Sequence, residues 1–404
     1  MKQEKNNKVL RLFCVLFSVC FAMAPIGARA VTLYLLPQSQ TIYQGDTFLV
    51  EVKLDTEGEE INTVEGYLNF PQDKLEIIDI GVGGSIFNLW PKSPSYSNQT
   101  GEISFLGGIP RGFKGEGKLV STTFRVLPRV DPHQSFSITF KENSKVLLND
   151  GKGTPAKLNF LEGNYEIISR PAGLPVLISP SNPDQNKWYP ADSFEIHWKA
   201  KPEAEYSYIL SHDPLMKPDE IPEKLIEHLK WGKLEDGIYY FHLREKMPGK
   251  DWSEKITYRF MIDMTPPEEF QPEIGKDPSI FEGKYFLSFA TTDKTSGVDH
   301  YEILEEPQRN LLKRIFTQSR HKTEHETTQN WKVGESPYLL GDQSLKTKIL
   351  VKAVDKAGNE KISEIIPFKK PIPYKEILII LASIIIIIWI IYRLTRKRKL
   401  YGKN

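Results

Sequence analysis

The amino-acid sequence predicts an all-β chain, a series of β-sandwiches followed by one apolar C-terminal helix. Three observations carry that reading. Apolar residues recur at every second position through short segments from Val31 onward, each bounded by Gly, Pro, Asn or Asp. No sustained helical period interrupts them before residue 370. A run without charge, Ile377 to Tyr392, then stands directly before the basic cluster Arg393-Leu-Thr-Arg-Lys-Arg-Lys399.

Met1 to Ala30 opens with Lys2, Lys5, Lys8 and Arg11, continues apolar from Leu12 to Ala24 and ends in Ala28-Arg29-Ala30. A basic start, a short apolar stretch and a small-residue site make residues 1–30 a secretory signal. Cys20 follows Phe17-Ser18-Val19 and lacks the small neighbour that lipid attachment requires. Both cysteines, Cys14 and Cys20, lie in this segment. The mature chain therefore has no disulfide, thiolate nucleophile or Cys-ligated zinc, and its stability must come from buried cores.

From Val31 to Ile168 the alternation is plain. In Thr47-Phe-Leu-Val-Glu-Val-Lys-Leu54, Phe48, Val50, Val52 and Leu54 share one face, with Glu51 and Lys53 on the other. Val64-Glu-Gly-Tyr-Leu-Asn-Phe70 places Val64, Leu68 and Phe70 inward and Glu65, Tyr67 and Asn69 outward. Val120, Thr122, Phe124 and Val126 repeat the device, as do Phe136, Ile138 and Phe140. Segments with one wet and one apolar face have to pair two sheets, which predicts a sandwich of roughly eight or nine strands.

Several of these segments carry a resemblance. Gln44-Gly-Asp-Thr-Phe-Leu-Val-Glu-Val52, then Val64 to Phe70 running into Lys74-Leu-Glu-Ile-Ile78, then Gly101-Glu-Ile-Ser-Phe105 and Gly117 to Val126, resemble the successive strands of cohesin modules. Those are jelly-roll-like sandwiches related to several carbohydrate-binding modules. The resemblance covers residues 31–168 and implies that a dockerin module docks on one exposed sheet face, which includes the strand before the Leu-Glu-Ile turn. By alternation that strand presents Thr63, Glu65, Tyr67 and Asn69; Thr63 and Glu65 stand where members of the family often carry Asn or Asp. Trp90, in Phe87-Asn-Leu-Trp-Pro91, reads either as a sugar-stacking ring or as a plug of the core.

Arg170-Pro-Ala-Gly-Leu-Pro175 sets a linker at residues 169–175. A second alternating module, 176–265, follows through Phe194, Ile196 and Trp198, then Tyr206, Tyr208 and Leu210, then Leu234 to Arg244 and Ile256 to Asp263. Its Glu-Asp-Gly turn before a Tyr-rich strand resembles fibronectin type III or immunoglobulin-like sandwiches, and Asp263-Met-Thr-Pro-Pro267 resembles the junction between exported bacterial immunoglobulin-like repeats. Pro266 and Pro267 cannot extend a ladder and stiffen this hinge. A third module, 266–370, has Phe286, Ser288 and Ala290 in alternation and closes with Lys348 to Asn359, which resembles the Ala-x-Asp-x-Ala-Gly-Asn hairpin of such repeats. The turns at Asp293, Asp299 and Asp355 are rich in oxygen, but a calcium ion takes six or more ligands and none is assigned.

Between Glu305 and Trp331 lies a polar insertion, long for a sandwich loop. Its His321-Lys-Thr-Glu-His325 has a metal-capable spacing without the His-Glu-x-x-His order, and reads as a solvated loop. The sequence contains no nucleophile elbow, Walker loop or kinase signature, and offers no catalytic residue or cofactor site.

The uncharged run Ile377 to Tyr392 reaches ~24 Å as a helix, short of the ~30 Å hydrocarbon layer, so Lys375 and Arg393 have to snorkel. It predicts a minimal membrane helix, 375–393, with a basic cytoplasmic tail, 394–404. Between the signal and this helix the chain holds 41 basic and 50 acidic side chains, a balance that disfavours nucleic acid. The expectation is a single-pass cell-membrane protein with its modules outside. Its N-terminal module would hold a dockerin-bearing protein or a polysaccharide, rather than act as an enzyme; a structural stalk, envelope or adhesin protein without dockerin binding is the alternative, and a carbohydrate-active enzyme ranks behind both.

Overall fold

The computed structural model describes residues 30–224, 226–307, 330–367 and 374–401, the side chains of the last stretch only from 378 to 393. The signal reading, both cysteines, His321 and His325 lie outside the described residues.

The N-terminal module is built from β1 (Val31–Leu36), β2 (Ser39–Tyr43), β3 (Thr47–Asp55), β4 (Ile61–Asn69), β5 (Leu75–Gly81), β6 (Leu89–Ser97), β7 (Glu102–Phe113), β8 (Glu116–Val126), β9 (Gln134–Phe140), β10 (Lys145–Leu148), β11 (Leu158–Leu161) and β12 (Gly163–Ile168). One sheet runs β11-β1-β3-β8-β5; the other runs β2-β12-β9-β4-β7-β6, with β10 also on β4. Twelve strands replace the expected eight or nine for a physical reason. β1 and β2 are consecutive yet belong to opposite sheets, and so are β11 and β12, so two edge segments each turn a corner of the sandwich. The inward residues named from alternation fill the space between: Leu54 and Val64 are fully buried, Phe124 and Ile138 all but so. Burying such side chains contributes roughly 1.5–3 kcal/mol each, which suits a fold without disulfides.

The middle module comprises β13 (Trp188–Tyr189), β14 (Phe194–His197), β15 (Glu205–Ser211), β16 (His228–Trp231), β17 (Gly237–Lys246) and β18 (Ile256–Ile262), in sheets β13-β18-β17-β15 and β14-β16. Its core is aromatic, with Phe194 stacked on Phe260 and Trp198 against Tyr206 and Phe241. The third module has β19 (Glu273–Lys276), β20 (Tyr285–Ser288), β21 (Val298–Pro307), β22 (Lys332–Val333), β23 (Tyr338–Leu339), β24 (Thr347–Asp355) and β25 (Glu360–Ile365), in sheets β19-β20-β23 and β22-β21-β24-β25. Here one phase reverses. Ser288 and Ala290 face solvent and the core takes Leu287 and Phe289, while Phe286, which shared their alternation, is buried over Gly275 on the central strand.

The modules interlock. The linker is pinned at both ends, since Arg170 grips both oxygens of Asp46 at 2.7 and 2.8 Å while Leu174 packs on the middle core. Trp188, Met261 and Ala357 form a small apolar cluster between the middle and third modules. Lys356, in the β24–β25 turn, donates to both carboxylate oxygens of Asp79 at 2.7 and 2.8 Å and to the Ile80 carbonyl at 3.0 Å. Beside it Gly83 lies so close that a Cβ there would stand 2.2 Å from the Thr295 carbonyl oxygen and 2.7 Å from the Ser296 carbonyl carbon. Backbone cannot yield as a side chain does. A Gly83→Ala chain is therefore expected to lose about 1–3 kcal/mol of stability and to expand in small-angle scattering; an unchanged radius and melting curve would show that the contact does not hold the modules together.

Helix α1 (Tyr374–Tyr401) carries the apolar run with its described side chains exposed. Among the described residues no helix is long and apolar enough to cross a membrane. The expected crossing therefore finds no support among the described residues.

Candidate functional site

The middle strand of the candidate face is β4. Val64 and Leu68 anchor it inward, and so does Gly66, where a Cβ would come within 2.2 Å of the Phe105 ring. The missing side chain lets that ring lie beneath the strand. Alternation then turns Thr63, Glu65, Tyr67 and Asn69 outward, all partly or fully exposed.

Pairing supplies their neighbours. Glu65 stands between Lys145 of β10 and Leu106 of β7, and Leu106 is opposite Lys92 of β6. Tyr67 is opposite Ser104, which faces Ser95 across the next strand, and the two hydroxyls are 3.1 Å apart. The Tyr67 hydroxyl donates to Glu65 Oε1 at 2.6 Å, and Lys92 Nζ lies 6.0 Å from the Tyr67 ring centroid. Donating that proton, together with the adjacent negative charge, raises the Tyr67 phenol above its ordinary value. Thr63 donates to Asn62 Oδ1 at 2.9 Å, and exposed Asn69 is opposite Glu102, which pairs with Lys141. The Ser144 hydroxyl braces the strand, accepting from the Tyr67 amide and donating to the Tyr67 carbonyl, each at 3.1 Å.

The result is a flat surface with one aromatic ring, a carboxylate and two lysines near its middle, and small hydroxyls around them. Such a surface suits contact with another folded module, in which a ring is desolvated and charges are paired at the rim. β6 at its edge contains Pro91 and Pro94 and shifts register twice, so it is a poor template for strand addition. Among the described residues no hydrogen bond or ion pair joins β4, β6 or β7 to the other modules, whereas β5 and the loop after it are engaged by Lys356 and the segment around Thr295.

Trp90 does not join the face. Its ring sits edge-on to Phe87 and Phe105, with centroids 5.5 and 6.4 Å away, partly buried against the core. Of the two readings open from sequence, the structure places it as the plug, because the register shift between Leu89 and Lys92 breaks the alternation and lets the ring pack on Phe87 and Phe105.

Sequence reasoning named two members of one constellation, Asp293 and Asp355, and missed the third, Asp263. Asp263, Asp293 and Asp355 are buried together between the middle and third modules, one carboxylate oxygen of each lying within 4.8 Å of the others. Asp299 stands apart, hydrogen-bonded to His300 at 2.7 Å. Asp263 opens the Asp-x-Thr-Pro-Pro junction, and that position was the available signal. These residues could offer a hard cation three oxygens, well short of the six to eight calcium takes. Their visible work is local. Asp263 accepts from the amides of Thr265 and Ser296, Asp293 from those of Thr295 and Gly297, and Asp355 from those of Ala357 and Asn359. Burial first, and then the charge of Asp293, push the Asp263 carboxyl up to about 6, against the hydrogen bonds that stabilise its anion.

No family model matches the chain, and no curated protein matches it. Among solved structures it is similar to the third cohesin of ScaC from Acetivibrio cellulolyticus, in complex with the ScaB dockerin, at 19% identity and TM-score 0.31, over 34% of this chain and 99% of that one. It is also similar to the OlpC cohesin of Clostridium thermocellum in complex with Doc435 (20%, TM-score 0.31, 35% and 95%). A third likeness is to the seventh ScaB type I cohesin of Pseudobacteroides cellulosolvens (15%, TM-score 0.31, 36% and 96%). Likenesses of this level establish nothing about what this chain binds.

Proposed function

We propose that the chain is a non-enzymatic binding protein of the cell surface whose β4–β7–β6 face holds a dockerin-bearing partner. The observation that supports this best is the placement of Glu65, Tyr67 and Lys92 at the centre of a flat face that the other two modules leave open. The middle and third modules, read as immunoglobulin-like spacers, hold the N-terminal module from its β5 side. The apolar run of α1 followed by Arg393 to Lys399 is read as the anchor, with the modules outside and the tail in the cytoplasm. Polysaccharide is not favoured on this face, because the one ring suggested for stacking, Trp90, is packed inward.

The test is capture. The full chain, immobilised in detergent, is expected to retain proteins bearing dockerin modules from a panel covering the known interaction types, with calcium present for the dockerin. Failure to retain any of them, combined with self-association in sedimentation, would move the reading to a structural stalk.

A further inference from the structure

A cleft of about 550 Å³ runs between the β2–β3 turn of the N-terminal module and the loops of the middle module, lined among others by Tyr43, Asp184, Lys217, Glu254, Lys255 and Arg259. Its charges are unevenly matched. Arg125 pairs with Glu76 and Arg170 with Asp46, but Lys217, Lys255 and Arg259 have no carboxylate within ion-pair distance among the described residues. Arg259 is almost wholly buried. Its Nε donates to the Gln185 carbonyl at 2.9 Å and its Nη2 to Asn186 Oδ1 at 2.6 Å, while Nη1 has no partner. Lys255 Nζ donates only to the carbonyls of Pro214 and Met216, at 2.6 and 2.9 Å. Glu254 and Asp184 act on Lys255 and Arg259 only from beyond contact distance, so the buried guanidinium and the half-buried ammonium are incompletely balanced, and an anion entering the cleft would relieve that cost.

A second cavity of about 520 Å³ adjoins the first and shares Gln40, Thr41 and Leu215 with it. Its lining is of another kind: Ser39, Ser135, Ser137 and Asn164 offer neutral donors and acceptors, with Glu166 as the single carboxylate. Hydroxyl and amide groups in a row suit a ligand that is itself rich in hydroxyls, and the ligand's charge must lie where the unpaired cations are. The pair of cavities is far larger than a single inorganic anion.

We propose that this double groove binds an acidic oligosaccharide, with sugar hydroxyls against Ser135, Ser137 and Asn164 and a carboxylate near Lys217 and Lys255 above Arg259. The site is separate from the β4–β7–β6 face and does not rest on the dockerin reading. Lys255 faces Asp213, Lys217, Glu254 and His242; burial first, then Lys217, bring its ammonium down to about 8, opposed by Asp213 and Glu254. An anion held by Lys255 is therefore bound at pH 7 and released as the pH rises through about 8 and beyond.

Calorimetry on the full chain in detergent, with tetragalacturonate and its neutral methyl ester as probes, tests this. Expected are binding of the acid, roughly tenfold weaker binding of the ester, a loss of about tenfold in each of Lys217→Ala and Lys255→Gln, and weakening with added salt. Lys217 is exposed, so its variant keeps the fold, and Glu65→Lys should leave this affinity unchanged. The proposal is overturned by no binding of the acid, by equal binding of acid and ester, or by unaltered affinity in both variants. Equal or tighter binding of inorganic phosphate or tetraglutamate would also overturn the carbohydrate assignment.

Discussion

A chain carrying Glu65→Lys together with Tyr67→Ala is expected to capture a dockerin-bearing partner about 100-fold less well than the natural chain, with its melting curve unmoved. A desolvated tyrosine at the centre of an interface is commonly worth about 2 kcal/mol, and reversing an adjacent charge adds about 1 kcal/mol, which together correspond to roughly two decades of affinity. The two residues form one unit, since the Tyr67 hydroxyl donates to Glu65 Oε1 at 2.6 Å. The fold should not register their loss, because both side chains stand on the outward face of β4 and the core side is held by Val64 and Leu68. Surface plasmon resonance against an immobilised dockerin partner measures the effect, and calorimetric melting provides the control. Unchanged capture in a variant that melts normally would remove this face from the proposed function.

The second large effect is on pH stability and belongs to His242. Its imidazole is fully buried, donating from Nε2 to the Asp213 carbonyl at 3.0 Å and accepting at Nδ1 from the Thr257 hydroxyl at 2.8 Å. Burial first, and then the Lys255 charge, bring the group down to about 4 from 6.5. The folded state thus binds its proton less readily than the unfolded chain does. This contribution to stability is fully present above about 6.5 and is lost as the pH falls through 4, and the shift corresponds to about 3 kcal/mol. Asp263 works in the opposite sense. Raised to about 6, it contributes stability at low pH that disappears as the pH rises through that value, so the two effects partly cancel in the natural chain. Urea unfolding at pH 7 and pH 4.5 separates them: His242→Gln should show an acid loss smaller than the natural chain's by about 2 kcal/mol. Equal losses in both would mean that the imidazole is not held neutral.

The legible part of this molecule was the part written in local periodicity. Phe48, Val50, Val52 and Leu54 declared the core face of β3, and the same alternation put Glu65 and Tyr67 on the outside of β4, since successive side chains of a strand point to opposite faces. Where periodicity was short or interrupted, the reading weakened. The four residues of β20 admitted either phase, and only packing against Ile303 and Val351 chose Leu287 and Phe289. Trp90 stands just before Pro91 and Pro94 in an irregular edge strand, so its direction had to wait for Phe87 and Phe105.

By itself the sequence determined the all-β class, the order of the modules, the cysteine-free cores and the outward row from Thr63 to Asn69, because each depends on residues a few positions apart. Tertiary structure alone decided which face stays open, and it did so through Lys356 reaching Asp79 across 277 positions. It also brought together Asp263, Asp293 and Asp355, and set Lys255 and Arg259 opposite Tyr43 in one cleft. These are contacts between modules. No local pattern encodes them, since they depend on how three separately patterned units pack against one another.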